Sequence, residues 1–319
     1  MNEFIHWVQN GPAGPAWHAI LESEEGEIVG HTATIPLRTA CLELRTVPAK
    51  VEYLFIQHGF RSAKVCGFEK SMRPSLTVLI NQLLRHCTAE GWGPFFVSTR
   101  PMVGRLAQRL GFRPIEFPLW ECLLVLRPWD AVRHTLNLNS SQLAALFVAG
   151  TLQGPLWIAA TAFSPIPKGV QVVPIGDGTI EPVTNRISFF EERASLEWRY
   201  LEGQYLRLAP DNGTPEYLIV KRGSEERYFR VCQWHGSSPQ PLRSLIRTLI
   251  REAQAKKAMG IRWAVYDNGT VSEKTVSLVR KLGFLCARRT RTLYVHTTNA
   301  KLLSPAIWKM NDSLFSFDP

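Results

Sequence analysis

Leu76, Leu79, Ile80, Leu83, Leu84 and Cys87 follow one another at steps of 3, 1, 3, 1 and 3. That spacing puts all six on one side of an α-helix. The same staircase returns at Leu242, Leu245, Ile246, Leu249, Ile250 and Ala253, an offset of 166 (242 − 76). A glycine follows each helix, Gly91 and Gly260, and reads as its C-terminal stop. Short apolar runs come next, "FFVST" from Phe95 and "WAVYD" from Trp263, an offset of 168 (263 − 95). A second helix then ends in "RLAQRLGF" or "SLVRKLGF", with the Gly-Phe pairs 172 apart (283 − 111). Gly111 and Gly283 are expected to take the left-handed stop, with Phe112 and Phe284 turning into the core. Each half closes on a strand-like run, "LWECLLVL" (Leu119–Leu126) and "RTLYVHTT" (Arg291–Thr298).

The front of each half also matches. "AWHAILESEEGEIVGHTATIP" predicts two strands joined at Glu24-Glu25-Gly26, and "EYLIVKRGSEERYFRVCQW" two more around Gly223-Ser224. The order strand, strand, helix, strand, helix, strand predicts an α/β (α+β) fold, two tandem domains, each a mixed sheet flanked by helices. The expected division is 1–128, a linker over 129–185, and 186–319. Both halves look incomplete. In the first, the leading strand and helices are missing or the start is truncated, and in the second the hairpin runs almost straight into its helix, as if a middle strand were lost. A lost strand would leave a sheet edge for the other half, a second copy or a partner chain to cover.

Bulk properties refine this picture. With 319 residues, 45% of them hydrophobic, the chain builds a real core, and Lys+Arg 37 against Asp+Glu 27 gives a net charge of +10. The charge favours anionic ligands or an acidic membrane face, touched peripherally. The densest basic run is only Arg288–Thr292, and no motif supports nucleic-acid binding. The six cysteines lack any C-x-x-C pair, which excludes metal spacing and predicts reduced, mostly buried thiols. Leu143–Phe163 is free of charge, but Gly154-Pro155 breaks it, so it reads as a buried connection rather than a bilayer span. The N-terminus shows no signal-peptide pattern, and the expected compartment is the cytoplasm.

Four pieces together resemble the GNAT superfamily of Gcn5-related N-acetyltransferases. They are the turn within Glu22–Pro36, the strand "VEYLFIQ" with "HGFRS" after it, the helix from Leu76, and "RLAQRLGFRPIEF". The resemblance implies a tandem pair of acyl-CoA N-acyltransferase units. Acetyl-CoA or another acyl-CoA would be the co-substrate, and a small-molecule amine, such as an amino sugar or an amino-acid-like group, the acceptor. In such a site a helix N-terminus faces the cofactor phosphates, and a strand edge holds the pantetheine arm.

The family's Gln/Arg-x-x-Gly-x-Gly/Ala loop is absent between Gln57 and Leu76. Arg61, Ser62, Lys64, Gly67, Lys70, Arg73 and Ser75 are the residues there that could contact phosphate, with Phe55 and Ile56 lining the strand exit. The alternative is a solvated basic loop with Ser75 capping the helix. Glu52 stands where relatives carry a general base; otherwise it is a surface carboxylate. His58 follows as a second proton carrier or a solvated loop residue. The family's acid, a tyrosine in the Gly-Phe helix, aligns with Ala107 and Val279, so it is missing twice, and Tyr266 is the candidate substitute or a core tyrosine. Cys66 reads as inert. Two functions remain open: an N-acyltransferase, or a GNAT-like scaffold that has lost catalysis and binds a protein partner.

Overall fold

The computed structural model describes residues 9–39, 46–60, 64–66, 72–98, 101–127, 130, 169–177, 187–189, 192–200, 203–222, 228–236, 239–266 and 270–311. Its first half runs β1 (Trp17–Glu22), β2 (Ile28–Pro36), β3 (Val47–Ile56), a short hairpin of β4 (Lys64–Cys66) and β5 (Met72–Pro74), α1 (Ser75–Ala89), β6 (Trp92–Ser98), α2 (Pro101–Arg109) and β7 (Arg113–Val125). After β8 (Val170–Val173) and α3 (Arg193–Arg199), the second half runs β9 (Tyr205–Pro210), β10 (Tyr217–Lys221), β11 (Tyr228–His235), α4 (Pro239–Ala255), β12 (Gly260–Tyr266), α5 (Thr270–Lys281) and β13 (Leu285–Val295). The mixed α/β architecture is the one the sequence predicts.

All strands but β4 and β5 join one sheet of 11, ordered β1-β2-β3-β6-β13-β7-β12-β11-β10-β9-β8. The last strand of each half lies in the other's territory. β13 pairs with β6, and β7 pairs with β12, while β7 and β13 form the antiparallel ladder between them. Every pair in that ladder obeys the repeat offset of 172. Leu293 faces Ile115, and stepping each by 172 gives Ala287 facing Glu121. The ladder therefore has a local two-fold axis at Pro118 and Thr290.

The helix faces behave as the periodicity predicts. Leu242, Leu245, Ile246, Leu249, Ile250 and Ala253 are all buried, as are Leu79, Ile80, Leu83 and Cys87 on α1, with Leu76 and Leu84 half-buried. Gly111 and Gly283 have φ of +87° and +89°. The amides of Phe112 and Phe284 donate back to Ala107 O and Val279 O, both at 3.0 Å, so one hydrogen-bonded stop is built twice. Gly91 also takes the left-handed conformation at φ +68°.

Four expectations need correction. Gly260 is no left-handed stop: Lys257 takes that conformation, at φ 55°. A Cβ on Gly260 would instead strike the Leu124 carbonyl across the β7–β12 ladder. No strand is lost from the second half. The "YLRLAP" segment is β9, and the hairpin that follows matches β2–β3, not β1–β2. β9 is buried at every position and shows no alternation to betray it. The offset between β6 and β12 is 167, not 168. The ladders set Ser98 opposite Thr292 and Tyr266 opposite Leu119, which matches Phe96 with Trp263. A one-residue slip would have flipped every side chain to the wrong face. Finally, Cys122 and Cys286, neighbours in the β7–β13 ladder, form a disulfide, while Cys87 and Cys232 are buried thiols outside it. Burial pushes the Cys87 thiol up to about 12.

Leu143–Phe163 lies outside the described residues. Among the described residues no helix is long and apolar enough to cross a membrane.

Two clusters hold the molecule together. One lies between the sheet and α4/α5; the other, on the opposite face, spans both halves through Ile35, Phe95, Phe117, Phe189, Tyr217 and Trp308. Tyr294 of β13 stacks on Phe96 of β6 at 5.0 Å and reaches beneath Gly104 of α2. A Cβ at Gly104 would run into the Tyr294 hydroxyl. Gly104→Ala is expected to destabilise the protein by about 1–3 kcal/mol, and by clearly less in a Tyr294→Phe background. Urea unfolding of the four members of that cycle measures both.

Burial also holds the His18 and His296 imidazoles below their ordinary range. The unfolded chain therefore binds protons more readily than the native one below about pH 6.5. Stability from these two groups is complete above that pH and is lost as pH falls. The melting temperature is expected to hold from pH 8 to 7 and to decline towards pH 5.

Candidate active site

β3 and β6 run parallel and pair from Val47–Trp92 to Lys50–Phe95. Beyond that point the ladder between them ends, although β3 continues to Ile56 and β6 to Ser98. β3 is also bulged there: its register against β2 shifts by one residue between Ala33–Glu52 and His31–Phe55. The buried Thr32 hydroxyl donates to Glu52 O at 3.2 Å beside that bulge. A bulge bends its strand and twists it locally, here as the two strands part. The result is a cleft of about 200 Å³ between β3, β6, α1 and α2. Val51, Leu54, Ile80, Phe96, Ala107 and Leu110 are among its walls, and among the described residues Glu52 is the only ionisable one lining it.

Glu52 does not stand alone. Lys50, two residues earlier and so on the same strand face, forms an ion pair with it. The Lys50 side chain is 2% exposed and lies between Ile35 of β2 and Phe95 of β6 in the sheet register. Sequence reading passed over this lysine. The signal was present in the i, i+2 spacing of opposite charges on a predicted strand.

The other expected site residues are placed as follows. Phe55 is 52% exposed, and Ile56 is buried against Leu79. His58 is exposed in the 3₁₀ turn that follows β3. Ser75 is the first residue of α1 and is fully buried; its hydroxyl donates to Phe60 O at 3.0 Å, and it is not the N-cap, a place taken by Pro74. Lys64 and Arg73 lie on the β4–β5 hairpin beside the start of α1, with side chains outside the described set. Arg61, Ser62, Gly67 and Lys70 lie outside the described residues.

Tyr266 does not join Glu52. It sits on β12, four strand spacings from β3, about 19 Å across the sheet. Its hydroxyl accepts a hydrogen bond from Arg291 at 2.9 Å within the buried face shared by the two halves.

The second half forks in the same way. β11 and β12 pair from Tyr228–Gly260 to Val231–Trp263, then part, and β11 is bulged at the same place. There the fork is filled. Trp263 matches Phe96, Val279 matches Ala107, and both belong to the packed cluster that Trp234 also joins. On the other face, the Tyr200 hydroxyl donates to Gln233, whose amide donates to the Tyr217 hydroxyl, each at 2.9 Å. Register matches Glu52 with Cys232, so the second fork has no carboxylate there.

Two forked lobes joined through exchanged final strands constitute a recognisable architecture. Saccharomyces cerevisiae N-myristoyltransferase with bound myristoyl-CoA superposes with a TM-score of 0.58 over 92% of this chain and 73% of that one, at 11% identity. A tandem GNAT protein from the clavulanic acid biosynthesis pathway superposes with a TM-score of 0.51 over 89% and 83%, at 13% identity. The chain has the tandem GNAT fold. It spans 60% of the length of a probable N-acyltransferase from Enterococcus faecalis, at 9% identity and a TM-score of 0.49. No protein-family model matches the sequence, and no curated protein does.

Within this GNAT fold, the Lys50–Glu52 pair has a measurable signature. Glu52→Ala leaves a buried ammonium without its carboxylate, an expected loss of about 3–5 kcal/mol. Adding Lys50→Met removes the stranded charge and is expected to recover most of that loss in chemical denaturation.

Proposed function

We propose that the protein is an acyl-CoA-dependent N-acyltransferase that works from its first lobe and acylates a small-molecule amine, such as an amino sugar or an amino-acid-like group. The observation that carries this reading is the contrast between the two forks. The first opens into a cleft with a carboxylate on its wall; the second is packed with Trp263 and Val279 and has no carboxylate at the matching place. The net charge of +10 suits an anionic co-substrate. Arg61, Ser62, Lys64, Gly67, Lys70 and Arg73 are the residues that we assign to its phosphates. The fold of the two neighbours, an N-myristoyltransferase and a tandem GNAT protein, supports the same assignment.

In this reading Glu52 takes a proton from the acceptor ammonium, with His58 at the strand exit as the route to solvent. The neutral nitrogen bonds to the thioester carbonyl carbon, the carbon–sulfur bond breaks, and the sulfur leaves as a thiol, taking up the proton that the nitrogen sheds as the amide forms. Lys50, paired with Glu52, holds the carboxylate in place. Tyr266 is too far across the sheet to protonate that sulfur, so it is not assigned the role.

A second reading is favoured by one observation. The helix position where relatives carry the acid holds a buried apolar residue in both lobes, Ala107 and Val279. A scaffold without catalysis would then use its outer sheet edges, β1 and β8, to pair with a second copy or another protein.

Calorimetry with acetyl-CoA and longer acyl-CoAs separates the two, and absence of binding at millimolar ligand would overturn the enzymatic reading. Glu52→Gln, whose amide oxygen still accepts from Lys50, is expected to keep acyl-CoA affinity and to lower kcat by about 10²–10⁴-fold.

A further inference from the structure

The sheet face opposite α1 carries a pair of titratable rings beside Glu52. Strand register sets three rows of side chains on that face. The inner row is Ile35, Lys50 and Phe95, all buried. The middle row is His18, Ala33 and Glu52. The outer row is Ile20, His31 and Phe55, in which Ile20 is 45% and Phe55 52% exposed. His18 Nδ1 and His31 Nε2 stand 2.9 Å apart, and the two rings stack at 5.2 Å, so the pair joins the middle row to the outer one. One proton lies between the two nitrogens. The other ring nitrogen of His18, Nε2, is buried and has no hydrogen-bond partner. Glu52 and His18 flank Ala33, whose side chain is a single methyl. Two strand spacings, about 10 Å, separate their backbones, a gap that two side chains and one water span. Lys50 and Glu52 are the charged groups on this face among the described residues of the three rows. His58, by contrast, lies six residues beyond Glu52 (58 − 52), as much as about 20 Å along an extended strand.

The second lobe serves as an internal control. Its register matches Ala33 with Ile219, His18 with Arg207 and His31 with Tyr217, and the bulge of β11 brings Gln233 opposite Ile219, as Glu52 is opposite Ala33. The same contacts recur there with other chemistry. The Arg207 guanidinium lies 4.4 Å from the centre of the Tyr217 ring, and the Gln233 amide donates to the Tyr217 hydroxyl. Arginine, tyrosine and glutamine do not exchange protons near neutrality. Histidine, histidine and glutamate do. The lobe with the open cleft is the one with three proton-exchanging groups at these positions.

We propose that His18 and His31 form a proton relay that carries the acceptor's proton from Glu52 to solvent. The inference rests on the acyltransferase reading above and puts this pair ahead of His58 on the way out. The acceptor ammonium sheds two protons in the reaction, one to the departing sulfur and one to Glu52. The second passes from Glu52 to His18 Nε2, directly or through one water. His18 Nδ1 hands its proton to His31 Nε2, and His31 Nδ1 releases one into the exposed outer row. One proton enters the pair and one leaves it, and Glu52 is ionised again for the next amine. Burial holds the His18 ring below its ordinary range, so it passes a proton on rather than keeping it.

Two measurements on the full chain test the relay. In nitrogen-15 NMR of the histidine rings, Glu52→Gln is expected to lower the titration midpoint of His18 by about half a unit, because a nearby carboxylate favours the charged ring. An unchanged midpoint would overturn the relay. In thiol release from acetyl-CoA, with glucosamine and with glycine as the amines, His18→Gln and His31→Gln are each expected to lower kcat by about tenfold or more and to leave the KM for acetyl-CoA unchanged. Added imidazole is expected to restore most of that kcat. Full activity in both variants, or a loss that imidazole does not repair, would reduce the pair to a packing role and leave the acyltransferase reading intact. If acetyl-CoA binds but neither amine is acylated, the NMR titration alone decides. If acetyl-CoA does not bind, the acyltransferase reading fails, and this inference with it. Should His18→Gln not fold, His31→Gln and the titration still decide.

Discussion

The antiparallel ladder of β7 and β13 is where this molecule is made whole. β6 and β12 are the inner strands of the two lobes, and each takes its second neighbour from the opposite half of the chain. Without the exchange, both would present an unpaired row of backbone groups in the middle of a sheet, a costly exposure. The ladder also carries side chains of both lobes into one core, with Ile115, Phe117 and Leu119 from β7 alongside Leu293 and Val295 from β13. The disulfide between Cys122 and Cys286 crosses the same pair of strands. Arg289 and Arg291 of β13 meet Glu121 of β7 where that face reaches solvent, adding little energy but fitting the basic run to a specific partner.

On this shared frame the two lobes have diverged in one respect. Both fork after a short parallel pairing, and both place a bulge at the fork. Volume and polarity then part company. The second lobe fills its helix side with Trp263 and Val279 and satisfies its buried polar groups on the other face through Tyr200, Gln233 and Tyr217. The first lobe leaves its helix side open and keeps an ion pair at the threshold. The filled lobe gives the frame one fixed arrangement beside the open lobe, because buried and paired polar networks specify a single arrangement.

How much of this was legible depended on the range of the interaction. The helix stripes and the Gly-Phe stops are local devices, set by residues within five positions of one another, and the chain states them plainly at Leu242–Ala253 and at Gly111 and Gly283. The duplication follows from them. Strand exchange joins residues 170 or so apart and leaves no periodic trace, and neither does a disulfide between scattered cysteines. β9 was missed because burial on both faces removes the alternation that marks a strand. At the site, Glu52 was legible from its place on a strand, but Lys50, charged and yet buried, was not. Tyr266 has the core placement that was one of its two readings, and its distance from Glu52 was not legible because nothing in a linear chain says which neighbour a strand will choose.

The order of the sheet bears on how the protein is made. β13 comes late in the chain but lies near the centre of the sheet, between strands formed from residues 92–98 and 113–125. Emerging from a ribosome amino-end first, the nascent polypeptide must hold β6 with a vacant flank until residues 292–295 arrive to zip against it. Native completion of the first lobe is thereby deferred until β13 has been made, so this lobe depends on a strand whose Val295 lies 200 residues downstream of the Phe95 it pairs with (295 − 95).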